Sequence, residues 1–274
     1  VQFAGAFEDC FDDRPSIFVA HNVEAQSAAE NAETSRDTFQ RLLYRREAQF
    51  VAALEERLCR RARFVFTLAD EDRIALGVAS DQRSASLPLV TRKAPPPAGS
   101  RPDIVYDAAL IGTWTWQPNR VGLEWFLEEV MSHVPSSFRV AVAGSVPADL
   151  EARHPGVSFV GRVPDAADFV RSAAVVPLIS RGGTGVQLKT IETFELGLAA
   201  VATTSALRGI AYRPANCSVA DDPRALAEAM MAAAAEPRPL EDGSAFHAAQ
   251  QAALDREVRR GLGCLTAASH EVSL

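Results

Sequence analysis

Cysteine is scarce and scattered: Cys10, Cys59, Cys217 and Cys264 share no CxxC spacing in 274 residues. That argues against zinc ribbons and disulfide frameworks, and isolated thiols fit a reducing compartment, so a cytoplasmic protein is expected. The five histidines form no HExxH or similar pair, and no metal site is expected. Long apolar runs are missing as well; none approaches the ~20 residues of a membrane span. No signal peptide is recognisable. Basic excess is absent: 28 Lys and Arg stand against 35 Asp and Glu, a formal charge of −7. A nucleic-acid partner would require the opposite balance. Neither GxxxxGK[ST] nor GxGxxG occurs, so the two commonest phosphate-loop signatures are not available. The first residue is Val and a strand-like segment follows almost at once, as in a protein met partway through.

What is present is an ordinary globular composition, with 47% apolar and 23% charged residues. After turn signals at Asp12, Asp13 and Pro15, residues 16–20 read as a buried strand ending at His21-Asn22-Val23-Glu24. Residues 35–61 have a helical pattern with Phe39, Leu42, Leu43, Phe50, Val51, Leu54 and Leu58 at spacings of three and four. The Arg- and Glu-rich polar face reads as solvated, with contact to an anionic membrane surface as the alternative. Phe64 to Leu68 is a second strand, and Asp70 and Asp72 read as helix-start carboxylates. The Pro-rich run from Arg92 to Gly99 marks a linker. The expected domains are therefore 1–95, 96–240 and a helical tail, 241–274.

From Ala108 onward the strand and helix patterns alternate. Strands are expected at 108–112, 138–143, 157–160, 173–179 and 199–203, with helices at 120–133, 165–171, 187–196, 223–235 and 244–261. Strands apolar throughout and separated by helices indicate a parallel sheet covered on both faces.

The segment from Pro177 to Glu192, reading PLISRGGTGVQLKTIE, carries the chemistry. A buried strand ends in a Gly-rich loop that opens a helix. Ligands of open parallel sheets bind beyond the strand carboxyl ends, and free helix-start N–H groups with a positive dipole end suit a diphosphate. Gly182, Gly183, Thr184, Gly185 and Val186 form the loop. Arg181 or Lys189 supplies compensating charge, and Glu192 is placed to accept from a ribose diol. A tight connection without a ligand is the competing reading of the isolated loop.

The order of the surrounding pieces resembles the C-terminal domain of the retaining family 4 glycosyltransferases, which have the GT-B fold. Ile111-Gly112-Thr113-Trp114 with Pro118-Asn119 looks like its opening strand and loop, and Val140 to Gly144 like its second strand and glycine turn. Val157 to Val163 is similar to the segment near the nucleotide base, which brings in Gly161 and Val163. Lys189 to Glu192 and Gly197 to Thr204 are similar to the donor-binding element and the strand after it, and Leu207 to Ile210 to the segment that closes the pocket. The resemblance implies an α/β, GT-B-like fold of two Rossmann-like domains with parallel sheets, the first incomplete. It further implies a cleft between them and a sugar moved from a nucleoside diphosphate to a carbohydrate or lipid-linked acceptor, with retention and without metal or cofactor. By resemblance His21 lies near the donor sugar; a histidine capping a strand end is the alternative. Glu24 is a weaker candidate, and Trp114 and Trp116 are read as packing.

Two departures from the family pattern stand out. Thr184 occupies the position of the first of two glutamates eight apart, and Thr115, Trp116, Gln117 and Asn119 stand where an Arg and a Lys are common. A nucleotide-sugar epimerase of the same architecture and a non-catalytic nucleotide-binding or partner subunit remain open, as do peripheral membrane contact and a dimer through residues 1–70.

Overall fold

The computed structural model describes residues 5–6, 14–35, 37–95, 102–236 and 243–271. The expected turn at Asp12 and Asp13 and the linker residues 96–99 lie outside them. The chain divides into two compact units: Val1–Leu89 with Thr184–Val186 and Gln251–Leu274, and Val90–Gly183 with Gln187–Gln250.

The first unit has a parallel sheet of three strands, β1 (Ile17–Ala20), β2 (Phe64–Thr67) and β3 (Ser84–Ser86), in that spatial order. β2 is central and buried along its whole length. Its alternating side chains serve both faces. Phe64 and Phe66 pack with Ala85, Leu87, Leu254 and Val258, while Val65 packs with Cys59, Ala62 and Val78. β3 lies before the expected linker, in a stretch where no strand was expected. Its sequence, Ser-Ala-Ser, is too short and polar to announce a strand, and it pairs because β2 offers an open edge.

Two helices lie between β1 and β2: α1 (Glu24–Thr34) and α2 (Thr38–Arg61). Glu24 therefore begins a helix where the sequence pattern suggested only a strand end. α1 escaped detection because its buried positions include Ala28 and Ala32, which leave little hydrophobic signal. Its first turn is satisfied from a distance, since Glu24 N donates to Glu55 Oε1 at 2.7 Å. Glu55 is buried, and desolvation pushes its carboxyl up while amide donors from Glu24 and Ala25 pull it down. Asp37 caps α2 by accepting from Gln40 N at 2.8 Å. A short helix, α3 (Asp70–Ala75), follows β2.

The second unit is built on six parallel strands, β4 (Tyr106–Ile111), β5 (Val140–Ala143), β6 (Ser158–Gly161), β7 (Ala173–Leu178), β8 (Ala200–Ala202) and β9 (Cys217–Val219). Their spatial order is β6-β5-β4-β7-β8-β9. β5, β7 and β8 are entirely buried, as their unbroken apolar sequences require. Connecting helices are α4 (Gln117–Trp125), α5 (Ala148–Arg153), α6 (Ala166–Arg171), α7 (Leu188–Glu195) and α8 (Pro223–Ala235). The helix expected over 120–133 starts earlier, at Gln117, and after Trp125 continues as a π turn and a 3-10 turn. Leu110, Trp114, Leu123, Phe126, Ile179, Val201, Leu226 and Met230 form its main core.

The strand order fixes where a ligand can lie. The chain proceeds from β4 outward through β5 and β6, then returns to the other side of β4 with β7. The reversal between β4 and β7 is the topological switch point, and beyond the strand carboxyl ends there the sheet opens a crevice. The residues expected as a separate tail form α9 (Ser244–Glu271), which belongs to the second unit up to Gln250 and to the first from Gln251.

Candidate functional site

Two loops leave the sheet at the switch point, one after β4 and one after β7. The first is held by close backbone approaches. Gly144 has φ 103°, and a Cβ there would stand 1.9 Å from the Gly112 carbonyl oxygen, so only glycine permits β4 and β5 to end side by side. Trp114 is buried, and its Nε1 donates to the Ala143 carbonyl at 2.8 Å. This is the packing role expected of it, while Trp116 is exposed. At Gly122 a Cβ would meet the Ile179 carbonyl oxygen at 2.2 Å. That contact seats α4 directly on the end of β7.

The second loop starts at Ser180, whose Oγ donates to the Gly182 carbonyl at 3.1 Å. Thr203, just after β8, donates its hydroxyl to the Ser180 carbonyl. α4 and α7, the helices that begin at these loops, have no side-chain cap at their N-termini. α6 and α8 are capped by Asp165 and Asp222. Uncapped first-turn amides at a switch point are donors open to an anion.

The two cations expected to serve a diphosphate differ in their surroundings. Arg181 is exposed, lies over the Trp125 ring at 4.4 Å from the centroid and donates to the Asp221 carbonyl at 3.2 Å. Lys189, in the first turn of α7, lies over the Trp114 ring at 5.1 Å. Its Nζ donates to Asn119 Oδ1 at 3.4 Å, and Asn119 in turn donates to the Thr113 carbonyl at 3.2 Å. Desolvation lowers the Lys189 ammonium to about 8. Among the described residues no carboxylate forms an ion pair with Lys189. Lys189 and Asn119 thus bring the β4 and β7 loops together around one cation. Asn119, noted in the sequence only for standing where a cation is common, proves to be that cation's partner.

Glu192, one turn further along α7, is half-buried. Desolvation pushes its carboxyl up, Arg92 pulls it down and Glu195 pushes it up. Gly161 ends β6 with φ 66°, and its carbonyl accepts from Gly144 N at 2.7 Å. Val163, half-buried, follows two residues later.

The middle of the Gly-rich loop corrects the expected picture. Thr184, Gly185 and Val186 group with the first unit. Gly185 N donates at 3.0 Å to Oδ2 of Asp72, a fully buried carboxylate. That amide is taken up by the protein, and the helix opens at Leu188, one residue from the expected start. Asp72, expected to be only a helix-start carboxylate, is what takes it. Thr184 shares a hydrogen bond of 3.2 Å with Ser27, so a hydroxyl pair stands where the family pattern has a glutamate. Gly185 has φ 75°, and a Cβ on it would press the His21 carbonyl and the Asn22 side chain. The His21 side chain itself is exposed at the end of β1.

Among the described residues no group of three His, Cys, Asp or Glu is arranged to hold a metal ion, and no helix is long and apolar enough to cross a membrane. The buried thiols of Cys59 and Cys217 are pushed up to about 11 by desolvation, which leaves them unreactive.

Residues 106–236 match the sequence profile of the family described as "Glycosyl transferases group 1". That span begins with β4 and runs one residue past α8. No curated protein matches the sequence. Among solved structures the fold is similar to TarM of S. aureus, with a TM-score of 0.65 and 13% identity over 94% of this chain and 53% of that one. It is similar to HepE of Anabaena in complex with UDP, with a TM-score of 0.63 and 13% identity over 98% and 75% of the two chains. It is also similar to sucrose-phosphate synthase of Thermosynechococcus elongatus, with a TM-score of 0.64 and 20% identity over 94% and 68%. The fold is α/β and GT-B-like. The chain spans about half the length of TarM.

Proposed function

We propose that this chain is a glycosyltransferase whose second unit binds a nucleoside-diphosphate sugar at the carboxyl ends of β4 and β7. The observation that carries this reading is Lys189: a desolvated ammonium with no carboxylate partner among the described residues, at the uncapped start of α7, tied to the β4 loop through Asn119. A half-buried, desolvated cation of this kind favours an anionic ligand. When the bond between sugar and diphosphate breaks, charge develops on the departing phosphate, and fixed donors aimed there lower the barrier. Lys189 and the first amides of α7 are those donors. Arg181 is assigned to the edge of the site, because its guanidinium already stacks on Trp125 and bonds to Asp221. Gly182 and Gly183 let the backbone approach the ligand; Thr184, Gly185 and Val186 shape the loop.

Glu192 is read as the acceptor for the ribose diol, with Gly161 and Val163 on the side of the base. His21 is placed near the donor sugar by the resemblance, and same-face attack gives retention. Asp70-Glu71-Asp72 is a DxD pair in sequence, but Asp72 is buried and accepts from Gly185 N while Asp70 pairs with Arg73, so no metal is assigned to the leaving group. The acceptor is a carbohydrate or a lipid-linked molecule. UDP is the first nucleotide to test, because the HepE structure holds UDP and a TarM structure holds UDP with a GlcNAc-glycerol.

The test is incubation with UDP-glucose and UDP-GlcNAc, following UDP release and the anomeric proton by NMR, with and without sugar acceptors. An acceptor-dependent α-linked product supports the reading. A free altered sugar formed without acceptor identifies an epimerase instead. UDP binding without any turnover identifies a nucleotide-binding partner subunit, for which Thr184 in place of a glutamate is the favouring observation.

A further inference from the structure

α2 carries more apolar surface than the first unit uses. Val51, Glu55, Leu58 and Cys59 turn inward, where Cys59 packs with Val65 of β2. Phe39, Leu42, Leu43 and Phe50 are spaced by three, one and seven, and at roughly 100° per residue they share the opposite face. Their exposures are 68%, 65%, 49% and 63%. A helix packed on a sheet needs one apolar face, so packing does not account for this second stripe.

Arginines accompany it. Over residues 38–50 the helix carries Arg41, Arg45 and Arg46 against a single acid, Glu47, in a chain whose net charge is −7. Arg46 sits within the stripe, its guanidinium 5.4 Å from the Phe50 ring centroid. Arg45 and Arg46 are exposed, and among the described residues neither is paired with a carboxylate. Arg41 donates to the Ser35 carbonyl at 2.8 Å.

An anionic lipid surface meets both features at once. Headgroup phosphates bond guanidinium groups, and Phe and Leu side chains enter the boundary with the acyl chains. Arginine stems bury against the apolar side chains while the charged ends stay at the headgroups. A second copy of the chain would cover the apolar side chains but set the same arginines against one another, which leaves self-association as the weaker contact, seen at high concentration. Among the described residues no helix is long and apolar enough to cross a membrane, so the geometry is that of a helix lying in the interface. We propose that the outer face of α2 is a peripheral membrane contact, which holds the protein on anionic lipid through Phe39, Leu42, Leu43 and Phe50 together with Arg45 and Arg46. This does not depend on the donor-site reading.

The test is flotation of the full chain, without nucleotide, with vesicles of phosphatidylcholine alone and of equimolar phosphatidylcholine and phosphatidylglycerol. The wild type is expected to float with the anionic vesicles, to bind the neutral ones far less, and to be released in part by high salt. Arg45→Gln with Arg46→Gln is expected to weaken binding about fivefold for each arginine removed, and Arg45→Lys with Arg46→Lys to retain it. Leu42→Gln with Phe50→Gln is expected to abolish binding although the charge is unchanged. Arg224→Gln, at an exposed arginine of α8, controls for general attraction and should bind as the wild type does. The substituted side chains are exposed, so the variants are expected to fold, and thermal melts check this. A wild type that binds neither vesicle, or both equally, overturns the inference. So does binding that Leu42→Gln with Phe50→Gln leaves unaffected, or that Arg224→Gln weakens as much as the α2 arginine pair does. A stable dimer that hides α2 and binds no vesicle assigns the face to a second copy and overturns it too. Because nucleotide is absent, failure of the donor site leaves all of these outcomes unchanged.

Discussion

Three acidic residues show how much of this molecule rests on single buried groups. Asp72, Glu55 and Glu195 are each nearly inaccessible, and each accepts a backbone N–H from a segment remote in sequence. Removing such an acceptor leaves a buried donor unsatisfied, at a cost of ~1–3 kcal/mol. Asp72→Ala is expected to destabilise the protein by about that amount in chemical denaturation and to loosen the Gly-rich loop at Gly185. Hydrogen exchange at the Gly185 amide measures the second effect, and an amide protected as in the wild type would contradict it. Lys189 gives a pH prediction. Its proton is lost as pH rises through about 8 in the unliganded protein, so diphosphate affinity should fall above that pH. The fall should be absent in Lys189→Met. The Gly-rich loop, Lys189 and Glu192 were legible in the sequence because they are contiguous and stand at a strand-to-helix turn. The three buried acids were not, because nothing local separates a carboxylate capping a distant amide from one facing water. Asp72 and Gly185 are 113 positions apart.

At the scale of elements, the second sheet was readable because β5 and β7 are unbroken apolar runs, which only a sheet covered on both faces tolerates. β3 and α1 were not, since polar Ser84 and Ser86 and small alanines carry no periodic signal. α2 shows a different failure. Its periodicity marks a helix, yet only part of its apolar stripe is buried: Val51 and Leu58 are inside, whereas Phe39, Leu42, Leu43 and Phe50 are exposed. Periodicity reports amphipathicity, not what covers the face. The junction of β4 and β5 is the most constrained element contact in the site. Gly144→Ala combines a positive φ with a collision against the Gly112 carbonyl, and should cost at least ~2 kcal/mol. Thermal melts test this, and an unchanged melting temperature would contradict the described approach of the two strand ends.

For the whole molecule, the exposed part of α2 is the main surface that packing within the chain leaves unexplained. Four large apolar side chains on one helix form a patch of the kind that drives association. Concentration-dependent self-association is expected in sedimentation velocity, shifted toward monomer by Leu42→Glu with Phe50→Glu. A wild type that stays monomeric at high concentration would refute this. Function at this scale follows from topology. The strand order puts the reversal between β4 and β7, and there Lys189 is held with no counter-ion among the described residues. The fold similarity to HepE and sucrose-phosphate synthase agrees with that architecture and leaves the chemistry to be decided at the site. The most direct test is calorimetric titration of UDP, GDP and ADP into the wild type, Lys189→Met and Arg181→Met. The account predicts that one nucleotide binds the wild type, that Lys189→Met weakens it by ~1.5–3 kcal/mol, the value of a hydrogen bond to a charged group, and that Arg181→Met binds nearly as well as wild type. Absence of binding to the folded wild type, or loss in Arg181→Met with Lys189→Met unaffected, would contradict it.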